Sequence, residues 1–260
     1  MRNKKGSSRF MLMLVLILAL AAFPASVSAN HSWGNYHWAR TSNPFTLKLG
    51  DNVTLAWDSY LATASSDWSQ SSVLNTTIVA GSTTGRRCRP TSGRVEVCNA
   101  KYGSNGWLGL ASIWASGSHI TQGTAKMNDT YFTQAQYDTP AWRLLVMCQE
   151  VAHTFGLDHQ DENFNNANLG TCMDYTSDPD GPLSNEHPNS HDFQQLETIY
   201  AHLDSTTTVG SMPPGFANAD MHAQENWGTK VRESADGRSA LYVRDFGNGF
   251  KIFTFVFWAE

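Results

Sequence analysis

Between Thr139 and His159 the chain carries a stretch that fits only a helix buried on most of its sides. Pro140 suits the first helical position, where a backbone N–H is dispensable, and Thr139 before it is a natural N-cap. Trp142, Leu145, Val146, Gln149 and His153 fall along one side of such a helix, and Ala141, Leu144, Cys148, Ala152 and Phe155 along another. A helix this apolar runs through the centre of its domain. Gly156 supplies the left-handed turn that ends it. Within and just beyond this apolar segment sit Gln149, Glu150, His153 and His159. Buried without partners, such groups would carry a heavy desolvation cost, so they are expected to serve a shared ligand.

Positions 149 and 153 are one turn apart on one helix face, and His159 returns past the Gly156 turn. The stretch reads Gln-Glu-x-x-His-x-x-Gly-x-x-His. It resembles the long zinc motif of the metzincin metalloproteases, H-E-x-x-H-x-x-G-x-x-H, with Gln149 in place of the first histidine. Thr171-Cys172-Met173-Asp174-Tyr175 resembles the Met-turn of that family, and the helix holding Asp192, Ile199 and Tyr200 resembles the end of a matrixin-type domain. The resemblance spans residues 45–203. It implies one catalytic zinc held by Gln149, His153 and His159, with Glu150 as general base. It also implies Tyr175 as a stabiliser of the transition state, Met173 as the floor of the site and Gly156 as its turn. Three protein ligands with a water describe a catalytic rather than a structural zinc. An amide oxygen is a weaker zinc donor than imidazole. Gln149 can therefore ligate directly, sit behind the ligands, or mark a site that has lost its metal.

The N-terminus reads as a secretory signal peptide over residues 1–29. Arg2, Lys4, Lys5 and Arg9 precede an apolar run from Phe10 to Phe23, and Val27-Ser28-Ala29 is a small-residue cleavage site. The run is too short to span a bilayer. Loss of those four basic residues takes the net charge from −5 to −9. An acidic secreted chain argues against nucleic acid and anionic membrane as partners and leaves a protein or peptide substrate; a monomer is expected. The four cysteines of an exported chain are expected to form two disulfides. Cys88 and Cys98 bracket a short loop, which leaves Cys148 to join Cys172.

Strand-like runs occur at Phe45–Leu49, which Gly50 ends, and at Leu74–Ala80, Arg94–Asn99, Trp107–Trp114 and Ile120–Met127. A helix carries Val53, Trp57, Tyr60, Ala64 and Trp68, with Asp51 or Asn52 placed to cap it. A third helix begins near Ser190. Gly228–Ser234, Ser239–Asp245 and Phe250–Trp258 read as a three-stranded meander. The predicted fold is α+β and metzincin-like: a twisted mixed five-stranded sheet, three main helices and a small C-terminal β-meander. The expected division is a metalloprotease domain over 30–204, a linker over 205–226 and a meander appendage over 227–260. Trp107–Trp114 is the expected edge strand for an extended substrate. The polar loop from Asp158 to Asp180 offers a possible structural calcium site, without the EF-hand pattern. His31, His37, His119, His202 and His222 read as ordinary surface or capping histidines, and His187 or His191 as a reserve metal ligand. The functional expectation is a secreted zinc metalloendopeptidase. Its alternative is an inactive pseudoprotease acting as a secreted binding module.

Overall fold

A computed structural model describes residues 31–210, 219 and 221–259. The signal peptide assigned to 1–29 and part of the 205–226 segment lie outside the described residues.

The strands are β1 (His37–Trp38), β2 (Phe45–Asn52), β3 (Leu74–Ala80), β4 (Val95–Ala100), β5 (Trp107–Ser116), β6 (His119–Asn128), β7 (Thr229–Glu233), β8 (Ser239–Gly247) and β9 (Phe250–Trp258). The helices are α1 (Asp58–Trp68), α2 (Pro140–His153) and α3 (Ser190–Ile199). The architecture is α+β, as expected, but the sheet has nine strands rather than five. Its order is β3-β2-β4-β6-β5-β9-β8-β7, with β1 beside the start of β6. β2, β3, β4 and β6 run parallel, and β5 and the last three strands continue antiparallel.

The C-terminal meander forms as expected but is not set apart from the sheet. β9 lies along β5 from Trp107↔Trp258 to Ser116↔Phe250. The physical reason is in β9 itself, which is apolar on both faces. Phe253, Phe255 and Phe257 enter the main core, while Ile252 and Val256 join a second core with Trp107, Leu110, Trp114, Met221 and Trp227. A strand apolar on both sides needs cover on both sides. Pairing with β5, which is equally apolar, provides it. β5 is therefore an interior strand, which corrects the expectation of a free edge there.

Two smaller corrections concern the first strand and helix. β2 continues through Gly50 to Asn52, and α1 starts at Asp58 with Trp57 at its N-cap and no side-chain cap bond. Asn52 is unavailable as a cap because its Oδ1 already accepts from the Thr83 N–H at 3.0 Å. Gly50 is needed within the strand: a Cβ there would sit 2.3 Å from Glu96 Oε2. α2 starts as read, with Thr139 accepting from the Trp142 N–H at 3.2 Å. Asn189 and Asp192 form a capping box at the start of α3. Disulfides join Cys88 to Cys98 and Cys148 to Cys172, and the latter ties α2 to the 171–175 turn. No helix among the described residues is long and apolar enough to cross a membrane.

Candidate functional site

α2 brings Gln149, Glu150 and His153 into the core, 0 to 1 % exposed. After His153 the chain turns through Gly156 at φ +97°, where a Cβ would lie 2.4 Å from the Tyr36 carbonyl oxygen. Both facts demand glycine. The turn carries His159 back against His153, with ring centroids 4.5 Å apart and nearly perpendicular. Tyr175 lies on the other side of His159, at 4.3 Å between ring centroids. Met173 is buried two residues before it. His153, His159 and Tyr175 thus come together.

Each polar group near this point is oriented by a second partner. Gln149 Nε2 donates to the Cys172 carbonyl at 3.0 Å, which leaves Oε1 buried and without a donor. His153 Nδ1 meets the Leu157 carbonyl at 2.9 Å. A carbonyl only accepts, so Nδ1 carries the proton and Nε2 of the neutral ring keeps its lone pair. The ring is held neutral because burial, with His159 nearby, lowers its pKa well below the usual range. His159 Nδ1 meets Glu162 Oε1 at 3.1 Å, and its Nε2 is likewise buried and unpartnered. A carboxylate behind an imidazole is the arrangement that orients metal-ligating histidines. Glu150 Oε2 is also unpartnered, and burial raises the pKa of that carboxyl well above the ordinary range. Buried acceptors without donors are rare and costly. Gln149 Oε1 and the two Nε2 atoms are donors of the kind a divalent cation takes, so the donor set suits one by its chemistry.

The C-terminal strands close this site, and nothing in the motif announced it. Phe255 of β9 stacks on His153 with centroids 4.3 Å apart and planes 8° apart. Phe257 meets Tyr175 edge-on at 4.9 Å, and Ser239 of β8 pairs with the Tyr175 hydroxyl. Arg232 of β7 binds both oxygens of Asp158 and lies 3.3 Å from Glu162. Burial pushes the Asp158 carboxyl upward, but the Arg232 hydrogen bonds and charge hold it below its ordinary value. Arg238 lies over the Phe164 ring at 3.7 Å. On the floor side, Gly109 of β5 leaves no room for a methyl, since a Cβ would meet Glu150 Oε1 at 2.3 Å.

The loop from Asp158 to Asp180 gives the calcium expectation no support. Asp158 is taken by Arg232, Asp161 by the Asn163 N–H and Asn166, and Asp174 Oδ2 by the Leu169 N–H and Asn185. Asp174 Oδ1 alone of these oxygens is without a partner, too few for calcium. Neither reserve histidine approaches the motif: His187 pairs with Asp67 at 2.6 Å, and His191 stacks on His31. Several histidines read as ordinary are grouped. His31 Nε2 lies 3.6 Å from Asp192 Oδ1, and His37, His119 and His202 surround Asp204. Their sequence separations hid this, because only the tertiary fold brings them together.

No protein-family model matches the chain, and no curated protein does. Among solved structures it is similar to high choriolytic enzyme 1, a hatching-enzyme zinc protease of the medaka fish Oryzias latipes. Identity is 9 %, covering 65 % of this chain and 96 % of that one, with a TM-score of 0.37. It is also similar to myroilysin, at 12 % identity over 68 % of this chain and 97 % of that one, with a TM-score of 0.34. Likeness at this level fixes neither family nor activity, so the functional reading rests on the residues themselves.

Proposed function

We propose that the chain is a secreted, zinc-dependent, metzincin-like endopeptidase whose site is held closed by its own C-terminal strands. The observation that carries this reading is the set of buried acceptors left without donors around α2: Gln149 Oε1 and His159 Nε2, beside the Nε2 lone pair of neutral His153. In this reading Gln149, His153 and His159 hold the metal, with Gln149 acting through its amide oxygen. Zinc, when bound, would polarise the scissile carbonyl and acidify the attacking water. Glu150 exchanges the proton between that water and the leaving amine. Burial raises the Glu150 pKa in the closed site, and entry of water would lower it and favour the basic carboxylate. Tyr175, released from Ser239, donates to the developing oxyanion. Met173 supports the site and Gly156 sets the return of His159. Residues 30–204 then form the catalytic part, and residues 227–260 cover it. A peptide substrate would take the place of β9 along β5 by strand addition. The two disulfides accord with an oxidising, extracellular compartment.

The second reading is a pseudoprotease serving as a secreted binding module. The specific observation in its favour is β9 itself, which fills the β5 edge while Phe255 covers His153. Zinc content and peptidase assays on wild type, Glu150→Ala, Gln149→His and His153→Ala separate the two. The endopeptidase reading expects His153→Ala to lose zinc and Glu150→Ala to reduce turnover about 100-fold or more. Activity absent from wild type but created by Gln149→His would establish the second reading instead. Unchanged turnover in Glu150→Ala would remove the first.

A further inference from the structure

Outside the motif, four side chains from three distant segments meet. His37 belongs to β1, His119 to the start of β6, and His202 and Asp204 follow α3. Asp204 Oδ1 lies 3.4 Å from His37 Nε2, 3.3 Å from His119 Nε2 and 3.7 Å from His202 Nε2. His202 Nε2 is 3.1 Å from His37 Nε2. His37, His119 and Asp204 offer donor atoms all within 4.8 Å of one another. Tetrahedral zinc, with bonds of about 2.0–2.2 Å, sets its donors about 3.4 Å apart. The separations to Asp204 Oδ1 and the His37–His202 separation bracket that value, while His202 stands outside the set whose donors are all mutually close and, being half-exposed, would rotate inward to close on the ion.

The site is built rather than a chance crowd of surface rings. Parallel pairing of β1 with β6 sets His37 opposite His119 in register. His37 Nδ1 donates to the Asn35 carbonyl at 2.7 Å, which turns Nε2 towards Asp204. Asp204 Oδ2 accepts from the Arg40 N–H at 3.2 Å and from its guanidinium at 2.9 Å, which leaves Oδ1 facing the histidines. Arg40 also donates to the Tyr200 and His202 carbonyls, fixing the segment that presents His202. These outer partners orient the donors as second-shell groups do in metal sites. An ion-pair account is weaker. The charge of Asp204 is already matched by Arg40.

We propose that His37, His119, His202 and Asp204 bind one divalent cation, zinc by their donor chemistry, as a closed structural staple. Three imidazoles and one carboxylate fill all four positions of a tetrahedral ion and leave none for a substrate. The staple ties the start of the described chain to the β5–β6 turn and to the tail of α3. It also braces the end of α2. Trp38, next to His37, donates its indole N–H to the Thr154 carbonyl at 2.8 Å, and Tyr200 donates its hydroxyl to the Phe155 carbonyl at 2.8 Å. These carbonyls lie at the start of the turn that carries His153 to His159.

The assignment does not depend on the proposed catalytic zinc, and the test separates them. Purified protein is stripped with a chelator and dialysed against zinc. Zinc per chain and melting temperature are then measured for wild type, His119→Ala, His202→Ala and His153→Ala. His119 and His202 are partly exposed, so their loss leaves the apolar core intact. The expected result is one zinc fewer per chain in His119→Ala and in His202→Ala. His153→Ala should keep one zinc and a melting temperature that falls on chelation. Wild-type zinc content in both His119→Ala and His202→Ala overturns the staple. Should those two fail to fold, a His153→Ala protein without zinc and without a chelator response overturns it as well.

Discussion

At the scale of single residues, Glu96 shows how a buried charge is held and what acid should do to it. Its carboxylate, fully buried in β4, accepts from Asn52 Nδ2 at 2.6 Å, Ser82 Oγ at 2.7 Å and Arg94 Nε at 2.7 Å. Burial alone would raise its pKa, but these donors together hold it below the ordinary 4.5. The stabilisation is therefore fully present above pH 4.5 and is lost as pH falls through the lower folded value. Glu96→Gln should cost about 1–3 kcal/mol at neutral pH, because an amide cannot accept from every donor present. It should also flatten the fall in stability below about pH 4.5, as read by urea unfolding across pH 3–6. An acid limb as steep as wild type would show that Glu96 is not the group responsible. Legibility at this scale divides by distance along the chain. Gln149, Glu150, His153 and His159 could be read together because a helix and one turn set their relation. His37, His119 and His202 could not, since strand register and the Arg40 contacts assemble them.

At the scale of elements, the sequence located β3 and β9 to the residue and β5 and β6 to within two. Alternation, turn residues and length are local properties. Pairing is not. The apolar run of β9, without alternation, marked both its faces as covered without naming the cover. Only the packing of Phe253, Phe255 and Phe257 on one side and Ile252 and Val256 on the other explains why β5 is the partner. This pairing makes the cover testable. Phe255→Ala removes a buried ring stacked on His153 and should cost about 3–5 kcal/mol. If β9 is what closes the site, the variant should exchange β9 amides faster and hydrolyse an unstructured peptide faster than wild type, below its melting temperature. Faster exchange without a gain in turnover would count against a latent peptidase and in favour of the binding-module reading.

At the scale of the molecule, the question is whether the last strands behave as an appendage or as part of one body. The expected division placed 227–260 apart from 30–204, and a hairpin hung on a linker would melt by itself at lower temperature. The described residues from His31 onward instead group as one unit, and the β5–β9 ladder carries the sheet without a break from β3 to β7. Leaving the body would strip β9 from β5, expose Phe253, Phe255 and Phe257, and unpair Arg232 from Asp158. Burying one such ring is worth about 1.5–3 kcal/mol, so separation costs several times the thermal energy at each of several points. Calorimetry should therefore show one transition with calorimetric and van't Hoff enthalpies in agreement. Far-ultraviolet dichroism and the fluorescence of Trp227 and Trp258 should move together through it. A separate early transition reported by those tryptophans would restore the two-part division. It would also show that the cover opens without unfolding the body, the behaviour a latent enzyme with a self-contained release would need.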